Sequence, residues 1–295
     1  MTATVPVPTA GPRNTRQGRR PGARRSTEKR RQSTLTWVLA VISLFTVAPL
    51  IAVAVLALSP ADVPTIPYAL PTSLTFDNVI RIFNVGEFPL WLWNSFVYST
   101  VSVVVVLLTA SMAAYALARK RFPGRNALLW AIIATLMVPV QATLIPTFIL
   151  ISKMGGVNTL WGLILPTLAN AQAIFLIRQF VRDMPEELFD AARIDGAGEW
   201  RTFWQIVLPL IRPVLATLAI FVFLWHWNDL LWPLVVGQSD TARTLTVGLA
   251  TLNTETASTS SVMAAALVSF IPCLVIFVLL QKHIVASITH SGVKG

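Results

Sequence analysis

Long apolar runs separated by short polar segments set the rhythm of this chain. Six runs, at residues 35–58, 93–118, 127–152, 160–177, 210–236 and 262–280, are long enough as helices to cross a hydrocarbon core, which takes about 20 residues. The fourth is the shortest. Pro49, Pro139, Pro146, Pro166 and Pro272 fall inside the runs and predict kinks, which membrane helices tolerate when neighbours satisfy the freed carbonyls. The longest connection on the far side, residues 59–92, holds a short amphipathic stretch around 76–83. The pattern predicts an all-α integral membrane protein with six transmembrane helices and no separate soluble domain.

One polar segment interrupts this rhythm. Residues 178–213 carry six of the 13 acidic residues (Asp183, Glu186, Glu187, Asp190, Asp195, Glu199), with Arg178, Arg182, Arg193, Arg201 and Arg212 among them. Pro185 suits the first turn of a helix, and Glu186 and Glu187 complement its positive end. That helix runs to about Ile194, and Gly196 and Gly198 supply the freedom for a turn. Trp200, Phe203, Trp204 and Val207 then recur at i, i+3, i+4 and i+7, one apolar stripe on a second helix. Pro209 and Pro213 close it. Two readings fit such a helix–turn–helix. It could rest on the bilayer through its aromatic stripe, or its first helix could dock a partner. The second reading explains the small, acid-rich face around Asp190, Ala191 and Ala192, because a bilayer-facing helix carries Lys and Arg on its polar side.

Composition sharpens the picture. The chain is 55% hydrophobic and only 12% charged, against about 25% charged in a typical soluble domain. Its net charge of +10 is unevenly placed: nine of the 23 basic residues precede Leu35. That placement argues for membrane topology and against nucleic-acid binding. With the N-terminus inside, 20 basic residues face the cytoplasm against three outside (Arg81, Lys153, Arg243), and cytoplasmic excess is the rule. Both termini and the 178–209 loop are therefore expected inside. Residues 1–34 read as a disordered basic cytoplasmic arm, either solvated or touching anionic head groups at about 1 kcal/mol per basic residue. The first apolar run is too long for a cleaved signal, whose core is about 7–15 residues. The six-span domain then covers 35–284 and a cytoplasmic tail covers 285–295.

Soluble-type chemistry finds no foothold. The sequence has no G-x-x-x-x-G-K-[ST] phosphate loop, His226, His283 and His290 are scattered, and Cys273 is alone. Neither a metal cluster nor a catalytic constellation is expected. Polar groups inside the spans are the candidate substrate pathway, since they are costly to expose to lipid: Asn94, Tyr98, Gln141, Asn170, Gln172, Trp227, Asn228 and Asp229. Amides and carboxylates suit sugar hydroxyls and aromatic rings suit the sugar's apolar face. The same residue types also bond neighbouring helices or anchor at the interface, so both roles stay open. Asp229 is the one carboxylate within a span, and an ion-coupled secondary transporter would have to use it.

Asp190-Ala191-Ala192-Arg193-Ile194-Asp195-Gly196 followed by Ile206-Val207-Leu208-Pro209 resembles the EAA loop of binding-protein-dependent ABC importer permeases, with Asp190 standing where the family has Glu. Residues 155–166, 174–180, 208–213, 227–234 and 291–295 also resemble the carbohydrate branch, specifically the maltose-type partner with the shorter outer loop. The resemblance implies a non-catalytic subunit in a bacterial cytoplasmic membrane. Its partners would be a second homologous permease, two ABC ATPase subunits holding ATP and Mg, and an extracytoplasmic solute-binding protein. It also implies that Glu187, Asp190, Ala191, Ala192, Ile194, Asp195 and Gly196 contact an ATPase subunit, as do Val293, Lys294 and Gly295 of the tail. The expected cargo is a carbohydrate, with glycerol phosphate or another polar solute as the alternative.

Overall fold

The computed structural model describes residues 21–60, 73–84, 87–252 and 258–291, with side chains for 32–60, 73–84, 87–252 and 258–281. Among these residues there is helix and turn and no strand. Residues 1–52 and 53–295 form two compact units. The first contains most of α1 (Pro21–Ala57). Its described side chains up to Ala52 are all exposed, Phe45 at 82%, and a helix apolar on every side suits lipid. The helix begins at Pro21, within the segment read as a basic arm. Proline fits a first turn, and once a helix exists each further residue adds a bond at little cost. Residues 1–20 of the arm lie outside the described residues.

The second unit follows as α2 (Asp77–Asn84), α3 (Phe88–Arg119), α4 (Arg125–Thr135), α5 (Val140–Lys153), α6 (Leu160–Ile164) and α7 (Ala171–Arg182). Then come α8 (Glu186–Ile194), α9 (Glu199–Thr202), a π-helical turn over Phe203–Val207 and α10 (Leu208–Leu210). The chain ends with α11 (Arg212–Trp227), α12 (Leu231–Val236), α13 (Leu245–Leu252) and α14 (Thr259–Ser291). α2 is the amphipathic stretch expected within 59–92. Its buried Asn78 donates to the carbonyls of Ala57 (3.1 Å) and Ser59 (2.6 Å). α14 runs on to Ser291, so the tail expected from 285 is helical in its first residues.

Three segments, Gln32–Ala57, Phe88–Arg119 and Thr259–Gln281, are single helices long and apolar enough to cross a membrane. The third and fourth runs are bent pairs, and the fifth begins at a third bend. Arg125–Thr135 and Val140–Lys153 meet at 103°, Leu160–Thr167 and Ala171–Arg182 at 46°, and Glu199–Leu210 and Arg212–Trp227 at 74°. Proline explains the first break: Pro139 sits at the N-cap of α5 with ψ 133°, and the residue before a proline avoids helix. In the second, Pro166 is the middle residue of a 3-10 turn over Leu165–Thr167. The third bend falls at Ile211, with Pro213 in the first turn of α11, so Pro209 lies inside α10 and does not close the preceding helix. The fifth run is broken again after Trp227 and resumes at Leu231.

α3 is the centre of this unit. Ser95, Ser99, Ser102, Ala110, Ser111 and Ala114 are fully or almost fully buried along it, and small side chains let helices approach closely in a membrane. Against its C-terminal half pack α7 and α11 in one apolar cluster that includes Ile177, Val181, Phe189, Phe203 and Val207. Against its N-terminal half pack Phe223 and Trp227 of α11, Leu245 of α13 and Ala264 of α14. Two glycines are needed here for contact. A Cβ on Gly248 would sit 2.0 Å from the Trp91 ring, and one on Gly162 would sit 2.0 Å from the Gly156 carbonyl oxygen.

Candidate functional site

The helix–turn–helix expected within residues 178–209 takes the form of α8, a turn and α9. α8 ends where left-handed backbone is needed: Gly196 has φ 69°, its N–H donates to Arg193 O (3.0 Å), and Ala197 N–H donates to Ala192 O (2.9 Å). This pair of bonds is the Schellman closure, which glycine adopts without a Cβ penalty. Phe189 and Ala192 face inward. Glu187, Asp190, Ala191, Ile194, Asp195 and Gly196 are exposed, Ile194 at 86%. Asp190 pairs with Arg193 at 2.9 Å on the open face, a contact that contributes little in water. The predicted aromatic stripe divides. Phe203 and Val207 are buried while Trp200 and Trp204 are exposed. The wider π turn, with i→i+5 bonding, puts them on different faces.

What holds this element was not anticipated. The last turn of α3 grips it at both ends. Arg119 donates through Nε and Nη2 to Val181 O (3.1 and 2.8 Å), and through Nη2 to the carbonyls of Arg182 (3.3 Å) and Met184. Its guanidinium also lies 4.2 Å over the Phe189 ring. The carbonyls at the end of α7 carry its negative pole, and although Val181 O also accepts from Met184 N (3.4 Å), a cation there uses their remaining acceptor capacity and meets that pole. Arg178 of α7 returns the contact to Leu117 O at 3.4 Å. At the other end, Glu199, the first residue of α9, accepts from Lys120 and from the Tyr115 hydroxyl (2.8 Å). Those two bonds, Lys120 foremost, hold the Glu199 carboxyl below the usual carboxylate range. The only sequence signal was a basic cluster closing an apolar run, which topology alone would explain.

The opposite end of α3 meets the break in the fifth run. Asp229 lies between α11 and α12, accepts from the Tyr98 hydroxyl at 3.0 Å, and caps α12 by accepting from Trp232 N at 3.4 Å. Thr246 donates to Asp229 O (2.6 Å) and Trp232 Nε1 donates to Leu163 O (3.1 Å). Of the predicted pathway residues, Tyr98 and Asp229 are thus brought together from 131 positions apart. Asn94 is buried and donates to the carbonyls of Thr241 and Arg243, both at 3.0 Å. Trp227 is buried, stacks on Phe223 and donates to Ser269 O at 3.1 Å. Asn170 caps α7 by accepting from Ala173 N at 2.8 Å. Gln141, Gln172 and Asn228 are exposed, Asn228 donating to Leu224 O at 2.8 Å. His226 packs edge-on to Tyr98. Val293, Lys294 and Gly295 lie outside the described residues. Among the described residues no cluster of His, Cys, Asp or Glu could hold a metal.

Comparison with known proteins matches these features to a group of transport subunits. Residues 106–290 match the model of the binding-protein-dependent transport system inner membrane component. The arabinooligosaccharides transport system permease protein AraQ of Halalkalibacterium halodurans is 41% identical over 76% of this chain and 81% of its own. The sn-glycerol-3-phosphate transport system permease protein UgpE of Yersinia pestis is 37% identical over 75% and 82%. Among solved structures, a chain of a bacterial ABC transporter involved in the import of the acidic polysaccharide alginate superposes with a TM-score of 0.77 at 24% identity, covering 87% of this chain and 97% of that one. Helices apolar enough to span a membrane and these likenesses agree: the chain belongs to the family of binding-protein-dependent transport system inner membrane components, the permeases of ABC importers.

Proposed function

We propose that this chain forms half of the translocation pathway of an ATP-driven importer for a carbohydrate that an extracytoplasmic binding protein delivers. It crosses the membrane six times, once in each apolar run, with both termini in the cytoplasm. A second related permease supplies the other half, and two ABC ATPase subunits bind ATP and Mg. The observation that carries the reading is the exposed face of α8, presented by a hairpin fastened to the ends of α3 and α7. Glu187, Asp190, Ala191, Ile194, Asp195 and Gly196 meet the ATPase subunit there. Ala192, on the inward side, sets how closely α8 lies on its own subunit. Val293, Lys294 and Gly295 add a second contact.

ATP-driven closure of the ATPase pair would move α8 and switch the pathway between outward and inward access. Gln141, Gln172 and the side-chain oxygen of Asn228 offer exposed polar surface for sugar hydroxyls. Asn94, Asn170, Trp227 and Asp229 bond the backbone around them, and Tyr98 bonds Asp229. The carbohydrate assignment draws on the arabinooligosaccharides permease. Glycerol phosphate is the second reading, favoured by the UgpE likeness. A phosphate cargo calls for a free cation in the pathway, whereas Arg243 at the outer end is engaged with Asp240 (2.8 Å) and lies 5.7 Å over Trp91. Reconstituting the complex in proteoliposomes with its binding protein, and following ATP-dependent uptake of labelled arabino-oligosaccharide and glycerol 3-phosphate, separates the two. Uptake driven by a proton gradient without ATP would sink both.

A further inference from the structure

We propose that Arg119 is the positioning residue through which displacement of α8 reaches the spanning helix α3, and that α3 then carries it to the broken fifth span. The inference rests on the reading that α8 docks an ATPase subunit. A docking helix that moves does useful work only if something stiff is attached to it, and three features of this chain supply the attachment.

First, Arg119 joins three parts of the loop at once. Its guanidinium bonds the end of α7 (Val181, Arg182), the turn before α8 (Met184) and, by stacking, Phe189 within α8. The fork geometry and planar face are special to arginine, and a lysine ammonium reproduces only part of them. Phe189 is buried in the cluster that also holds Val181 and Tyr115, so α8 cannot swing without moving that ring.

Second, the adjacent residue holds the other side of the hairpin, since Lys120 and Tyr115 grip Glu199. The hairpin is therefore held on both flanks by one helical turn. It moves with the end of α3 and does not rotate about a single pin.

Third, the same helix reaches the break in the fifth run. α3 is unbroken from Phe88 to Arg119. At 1.5 Å per residue, Arg119 lies about 30 Å along it from Tyr98. Tyr98 bonds Asp229, which caps α12, and Asn94 one turn earlier holds the segment at Thr241 and Arg243. One rod thus carries the loop at one end and the discontinuity of α11 and α12 at the other.

The test compares wild type, R119A and R119K in the full importer complex, reconstituted with the ATPase subunits and the binding protein. Three quantities are read: ATPase subunits recovered per permease, ATP hydrolysis, and labelled oligosaccharide taken up per ATP. The expected result for R119A is wild-type recovery of the ATPase with uptake per ATP lowered about tenfold, and an intermediate value for R119K. Wild-type uptake per ATP in R119A overturns the proposal. So does a loss of uptake that only tracks loss of bound ATPase, because Arg119 would then be a scaffold for docking alone. Should R119A fail to accumulate, F189L, which keeps an apolar group and removes the ring, is read against the same two outcomes. If the wild-type chain brings down no ATPase, the functional reading itself fails, whatever R119A does.

Discussion

Gly196 does its work through backbone alone. A Cβ there would meet nothing within 4 Å, yet its φ of 69° is left-handed, which costs an L-residue about 1–2 kcal/mol, most for β-branched ones. G196V should reopen the Schellman turn and misplace the exposed face of α8 while the spans still insert. Uptake should fall severalfold or more with protein levels near wild type, and G196N, which tolerates this region better, should fall less. Equal uptake by wild type and G196V would contradict the docking role. Glu199 gives a pH-dependent counterpart. Lys120 and Tyr115 lower its pKa from the ordinary 4.5, so its contribution is fully present above that value and is lost as pH falls through the lower folded one. With 66% of the side chain in solvent the effect is screened and small. Thermal unfolding of wild type and E199Q should differ at neutral pH and converge in acid; a gap that persists in acid would place its origin elsewhere.

At the scale of elements, the breaks matter more than the helices. Asp229 stands where α11 stops and α12 starts, and two of its bonds, to Tyr98 and Trp232, run through the carboxylate. D229N keeps one oxygen for the Trp232 N–H and can turn its amide N–H to the Tyr98 oxygen, whereas D229A leaves the buried Tyr98 hydroxyl without a partner, a loss of about 1–3 kcal/mol. An ATP-driven importer should show near-normal uptake for D229N and a clear loss for D229A. Abolition by D229N, which removes the charge and the titratable group, would favour ion coupling instead. The all-helical architecture and the bounds of α8 were legible because apolar length and proline–glycine punctuation act locally. The bends were legible only as kinks. Proline marks where a backbone bond is missing, but the angle depends on what packs on either side. The clamp around Arg119 was hidden because its acceptors are main-chain carbonyls more than 60 positions away, and carbonyls leave no trace in residue type. Among pathway candidates, residue type could not separate Asn94, which holds backbone, from Gln172, which is free on the surface.

For the whole molecule, the two ends of α3 divide the labour. One end holds the hairpin whose outer face is free, and the other holds a broken span tied from α3, α6 and α13. Half-helix ends meeting inside a membrane are a common way for transporters to present polar groups to a solute. Such a chain is incomplete alone. Its exposed apolar surface includes Trp130, Met137, Ile145, Phe221 and Trp225, and lipid together with a second permease would cover it. The most direct measurement is gentle affinity purification of the chain from its native membrane, with mass identification of what accompanies it. An ATPase carrying a phosphate loop and a second permease with its own docking loop should come with it. Recovery of the chain alone or as a homo-oligomer, in detergents that preserve other membrane complexes, would contradict the importer assignment.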